Sequence, residues 1–82
     1  MSFEDTINKL FELNYSVYID GEIDKPYKIL FKKQLTPSKY KFIGIRKDNC
    51  LDSFIVEPGI KLHKDITMDE YMLLLRIRLE MN

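Results

Sequence analysis

Tryptophan and alanine are missing altogether from these 82 residues, cysteine and histidine occur once each, and glycine and proline only three times apiece. Each scarcity removes a class of explanation. A single cysteine, Cys50, closes no internal disulfide, whereas small secreted domains usually carry several, so a reducing, cytoplasmic setting is expected. His63 and Cys50 make neither a zinc tetrad nor a Cys-His dyad with a supporting third group, and they read as a loop histidine and a small residue at a hairpin start. There is no glycine-rich phosphate loop, and no pair of acids sits in an apolar setting that would separate their protonation states. The chain therefore reads as non-enzymatic, with no catalytic residue, no metal site and no cofactor.

Long apolar runs are also absent. The longest, Tyr71 to Leu75, falls far short of the roughly 20 residues that span a bilayer, and Met1-Ser2-Phe3-Glu4-Asp5 has neither the basic start nor the apolar core of a signal peptide. No membrane partner is expected. Asp20, Glu22 and Asp24 occupy the first, third and fifth positions of a calcium-loop pattern, but Lys25 stands where that loop needs glycine and Phe31 where it needs a bidentate glutamate. An acidic, solvated turn is the better reading.

What is present is typical of a globular chain: 45% hydrophobic and 32% charged residues, enough for one domain spanning residues 1–82 that buries about 60–65% of its unfolded surface. Lysine and isoleucine are each used ten times. With alanine absent, that bias suits AT-rich codons and suggests a low-GC bacterium or one of its phages. Net charge is zero, yet the charges are segregated. Glu4, Asp5, Glu12, Asp20, Glu22 and Asp24 stand against Lys9 in the first 24 residues, and Lys25, Lys28, Lys32, Lys33, Lys39, Lys41, Arg46 and Lys47 against Asp48 in the next 25. A basic middle calls for an anionic partner.

Periodicity predicts an α+β fold, an antiparallel three- to four-stranded meander flanked by an N-terminal and a C-terminal helix, in the order α-β-β-β-β-α. Ser2 caps a helix over 3–13, with Asp5 completing a capping box and Phe3, Ile7, Leu10 and Phe11 forming its apolar stripe. Asn14 suits a left-handed helix end, after which Tyr15, Val17 and Ile19 alternate as a strand. Further strands follow at about 27–35, 40–47 and 50–57. They are joined by a four-residue loop, Thr36-Pro37-Ser38-Lys39, and a two-residue turn, Asp48-Asn49. Pro58-Gly59 turns the chain into an extended link, Ile60 to Ile66. Thr67 and Glu70 form a second capping box opening a helix over 68–81, although Leu75, Ile77, Leu79 and Met81 also alternate as a strand would.

Those turn lengths place Tyr27, Ile29, Phe31, Leu35, Tyr40, Phe42, Leu51 and Ile55 on one sheet face, and Leu30, Ile43, Ile45, Phe54 and Val56, ringed by Lys28, Lys32, Lys41 and Lys47, on the other. Four strands make a sheet about 19 Å wide, and two helices about 10 Å across cover one face of it. The expected binding surface is the second face: Leu30, Lys32, Lys41, Ile43, Ile45, Lys47, Phe54 and Val56. A protein partner there is the first expectation. Single-stranded nucleic acid is the alternative, because the hairpin from Lys25-Pro26-Tyr27-Lys28 through Lys39-Tyr40-Lys41-Phe42 to Arg46-Lys47 interleaves cations with rings. A third reading is a homodimer through the last helix, where Met68, Met72, Leu75 and Leu79 form one apolar side and Leu73 and Ile77 lie near the other.

The segment Glu4-Asp5-Thr6-Ile7-Asn8-Lys9-Leu10, followed by Asn14-Tyr15-Ser16-Val17-Tyr18-Ile19-Asp20-Gly21, resembles the opening of a family of small phage anti-CRISPR proteins that inhibit Cas9. That family places a helix, a meander and more helix in one compact chain. The resemblance spans residues 4–21 and implies a stoichiometric inhibitor from a mobile element, acting on a host protein such as a nucleic-acid-handling complex. It assigns no functional residue.

Overall fold

A computed structural model describes residues 2–18, 26–63 and 66–81, with backbone only for 60–63. Helix α1 (Phe3–Glu12) starts where the Ser2 hydroxyl accepts the Asp5 N–H at 3.1 Å and the Asp5 carboxylate accepts the Ser2 N–H. It ends where Asn14 turns left-handed at φ 71° and the Tyr15 N–H donates back to the Leu10 carbonyl at 3.0 Å. Both ends follow the local chemistry expected of those residues.

The chain then forms β1 (Ser16–Val17), β2 (Tyr27–Thr36), β3 (Lys39–Arg46), β4 (Leu51–Glu57) and β5 (Ile60–His63), followed by α2 (Met68–Met81). Neighbouring strands pair antiparallel in the order β1-β2-β3-β4-β5. The expected α-β-β-β-β-α order is present, and β5 is added where an extended link was expected. Pro58 and Gly59, the latter at φ 76°, turn β4 back so that Glu57 pairs with Ile60. His63 thus lies in a strand rather than a loop. The Asp20-Gly21-Glu22 turn, with Ile19, Asp24 and Lys25, lies outside the described residues.

Register departs from expectation at two turns. A four-residue loop would have set Leu35 opposite Tyr40, but Pro37 and Ser38 alone make the turn, Thr36 pairs with Lys39, and Gln34 faces Tyr40. Leu35 is the extra residue of a bulge. At the next turn Asn49 adopts φ 70° and the Arg46 N–H donates to the Cys50 carbonyl at 2.8 Å, so three residues make the connection instead of two. Phe42 consequently faces Phe54, not Ile55. Each one-residue shift turns a strand over relative to its neighbour. The two cancel between β2 and β4 and leave β3 inverted.

Both helices lie on one face of the sheet. Leu10 of α1 and Leu73, Leu74 and Ile77 of α2 pack on Phe31, Ile43, Ile45 and Tyr15, with Ile29 and Leu51 at the margin. Ile43 and Ile45, expected on the partner-binding face, are instead fully buried beneath the helices and have no surface to offer a partner. The period-two pattern in 72–81 loses to the helix because Thr67 and Glu70 close their capping box, the Glu70 N–H donating to the Thr67 hydroxyl at 3.2 Å and the Thr67 N–H to the Glu70 carboxylate at 3.2 Å. Helical spacing then buries Glu70, Leu73, Leu74 and Ile77 along one side.

Candidate functional site

The other face carries a second cluster, Tyr27, Leu30, Phe42 and Phe54, flanked by Tyr18, Tyr40 and Val56, and no residue of α1 or α2 belongs to it. Inversion of β3 brings Phe42 here, and a register shift between Tyr27 and Ile29 brings Tyr27. Lys32, Phe42 and Phe54 stand abreast across three strands. Phe42 stacks on Phe54 with ring centroids 5.1 Å apart and planes 15° from parallel, and Tyr18 meets Phe42 edge-on at 5.2 Å. Tyr27 lies 6.3 Å from Phe54.

Gly44 sits in this face because nothing larger fits. A methyl group at its Cα would come within 2.7 Å of the Ile29 carbonyl oxygen and 2.8 Å of Leu30 Cδ1. Leu30 occupies that space and is itself buried.

Above this floor is a partly enclosed hollow of about 630 Å³, walled by Tyr18, Tyr27, Tyr40, Phe42, Phe54 and Val56. Lys32 and Arg46 also border it. The Lys32 ammonium lies 4.2 Å from the Tyr40 ring centre and 5.3 Å from that of Tyr18, a cation held over two ring faces. Lys32 pairs with Phe42, and Arg46 follows four residues later on β3, which separates the two cations by about 13 Å of strand. Near Arg46 the Tyr27 hydroxyl donates to the Asp52 carboxylate at 2.5 Å, and the Arg46 guanidinium lies 3.9 Å from the same carboxylate. Burial pushes the Tyr27 hydroxyl pKa up, the Asp52 carboxylate adds to the rise, and the hydroxyl stays a donor.

Of the eight residues expected to bind a partner, Leu30, Lys32, Phe54 and Val56 gather on this face. Ile43 and Ile45 do not, as described. Lys41 points to the helix side, where its ammonium binds the buried Glu70 carboxylate at 2.8 Å. Glu70 also accepts the Tyr15 hydroxyl and the Thr67 N–H, tying α2, β3 and the end of α1 together. Burial alone would raise the Glu70 pKa, but hydrogen bonds from Lys41, Tyr15 and Thr67 outweigh it and hold the carboxyl below its ordinary value. Burial and that same carboxylate push the Tyr15 hydroxyl up. Lys47 lies exposed in the β3–β4 turn. The sequence reading placed Tyr27, Tyr40, Phe42 and Arg46 in the basic, aromatic hairpin of the nucleic-acid alternative and not on the partner-binding face, and it missed Tyr18 altogether. Asn49 beside Asp48, a residue suited to closing a three-residue hairpin with a left-handed bulge, is the signal that points to the inverted β3.

Among the described residues no three His, Cys, Asp or Glu side chains gather to hold a metal ion, and no helix is long and apolar enough to cross a membrane. Fold and site together define an α+β protein whose five-stranded meander is sheltered by helices on one face and carries an aromatic, cation-edged hollow on the other. Comparison with protein-family models, curated proteins and solved structures finds no significant match for this chain.

Proposed function

We propose that this chain is a non-enzymatic protein-binding module that seats the helix-free face of its sheet on an acidic surface of a host protein. The observation that carries the reading is the hollow bounded by Tyr18, Tyr40 and Val56 with Lys32 and Arg46 at its edge. Tyrosine and arginine around an apolar floor are the residue types that dominate protein–protein binding energy, and Lys32 selects for negative charge, while Arg46 shares its charge with Asp48 and Asp52. The resemblance of residues 4–21 to Cas9 inhibitors, together with the AT-rich composition, supports a cytoplasmic mobile-element inhibitor that occupies a host surface.

Affinity capture from nuclease-treated bacterial lysate tests this, with wild type compared against Val56→Asp, Lys32→Glu and, on the helix side, Leu79→Lys. A polypeptide held in stoichiometric amount by wild type and Leu79→Lys, but lost from both sheet-face variants, supports the reading. Retention by all four proteins overturns it.

One observation favours single-stranded nucleic acid as a second reading: Tyr18 and Tyr40 are only half-buried and share a face with Lys32, as in stacking platforms. The deeper rings favour protein, since Phe42 and Phe54 are only 6% and 3% exposed and leave little ring face for a base. A labelled oligonucleotide decides between them. Binding that falls steeply with salt and disappears in Tyr40→Ala replaces the protein reading.

A further inference from the structure

Helix α2 buries one stripe and leaves another bare. Glu70, Leu73, Leu74 and Ile77 face the protein's own core, while on the opposite side Met68 and Leu79 are 72% and 77% exposed and Met72 is also exposed. Half-buried Leu75 completes the outer row. Met68, Met72, Leu75 and Leu79 are spaced 4, 3 and 4 residues apart, the spacing of the a and d positions of a coiled-coil heptad. The stripe lies diametrically across the helix from the buried one, so it can be covered without disturbing the fold.

The charges beside the stripe say what covers it. Asp69 and Arg76 flank it on the same side, seven residues apart and both exposed. Neither is held in an ion pair within the described residues. In an antiparallel pair of α2 helices about a two-fold axis between Met72 and Leu75, Met68 of one copy packs against Leu79 of the other and Met72 against Leu75. The same operation sets Asp69 beside Arg76 twice across the seam. A parallel pair would bring Arg76 to Tyr71 and leave Asp69 and Arg76 apart.

We propose that the outer face of α2 is a self-complementary surface through which two copies of this chain associate antiparallel. Helix α1 widens the contact. Lys9 and Leu13, from its end, line one groove with Asp69, Met72 and Arg76, while Phe3 and Thr6, from its start, line another with Leu79 and Glu80. The two helices therefore run antiparallel, and Phe3 and Leu13 border the seam. The stripe spans about 18 Å of helix, too small for the roughly 1,200 Å² of a stable complex, so the dimer forms in the micromolar range or weaker. It uses the face opposite the aromatic hollow and does not rest on the function proposed for that hollow.

Sedimentation equilibrium over a wide concentration range tests the proposal. Wild type is expected to move from monomer to dimer, and Leu79→Lys to stay monomeric while melting as wild type does in circular dichroism. Asp69→Lys and Arg76→Glu each oppose like charges across the seam and should weaken association about tenfold or more. An equimolar mixture of those two variants restores both ion pairs and should recover wild-type association. A wild type that stays monomeric up to about 1 mM, a dimer that survives Leu79→Lys, or a mixture no tighter than its components each overturns it.

Discussion

The two faces of this sheet differ in what surrounds them and in what fills them. Beneath the helices the side chains are mostly aliphatic, joined by Phe31, and their centre is enclosed, with Glu70, Lys41 and Tyr15 making the polar contact there. On the other face the apolar residues are mostly rings, in contact with one another and with Lys32. Each kind of residue suits the side on which it lies. Aliphatic groups gain most where water is wholly excluded, while tyrosine and lysine tolerate a half-wet boundary and can meet a partner there.

The largest expected effect breaks this contrast outright. Ile43→Asp places an unpaired carboxylate beneath the helices and should cost more than about 4 kcal/mol, leaving the protein unfolded by circular dichroism, while Val56→Asp on the half-buried rim should cost about 1 kcal/mol. Equal losses would show that both faces are equally enclosed.

Next comes the buried polar contact. Glu70→Ala leaves the Lys41 ammonium without its partner and should lose about 3 kcal/mol in urea denaturation. Because the folded protein holds the Glu70 carboxyl below its ordinary value of 4.5, its contribution is complete above that pH and is lost as pH falls through the folded-state value. Glu70→Gln should therefore flatten the acid limb of the stability curve, and an unchanged limb would assign acid sensitivity elsewhere.

Gly44→Ala sharpens the comparison from the aromatic side. The added methyl meets the Ile29 carbonyl as well as Leu30, so backbone must shift, and a loss of about 2 kcal/mol is expected. The smallest effect should be a gain. The Ser53 hydroxyl is buried on β4 opposite Ile43 with no hydrogen-bond partner among the described residues, so Ser53→Ala should stabilise by about 1 kcal/mol. A loss would show that the hydroxyl is satisfied in solution.

Local chemistry made the helices legible. Ser2, Asp5, Thr67 and Glu70 read as capping boxes because each acts over three residues, and Asn14 read as a helix end for the same reason. Strands β1 to β4 were equally legible in their order, whereas β5 read as an extended link. Their faces were not, because a face depends on pairing register, and register here turns on two bulged positions, Lys28 and Leu35, and one left-handed residue, Asn49. Lys41 illustrates the consequence: read as part of a binding surface, it serves a buried carboxylate 29 residues away.

The sequence alone specified both helices and strands β1 to β4, since periodicity and caps are properties of a few adjacent residues, but left β5 as an extended link. It also set the separation of a basic middle from acidic neighbours. Only the tertiary structure decided that Phe42 joins Phe54 and Lys32, and that Ile43 and Ile45 lie under the helices. A one-residue change in a turn costs little locally, yet it exchanges every side chain of a strand between the sheet's two sides.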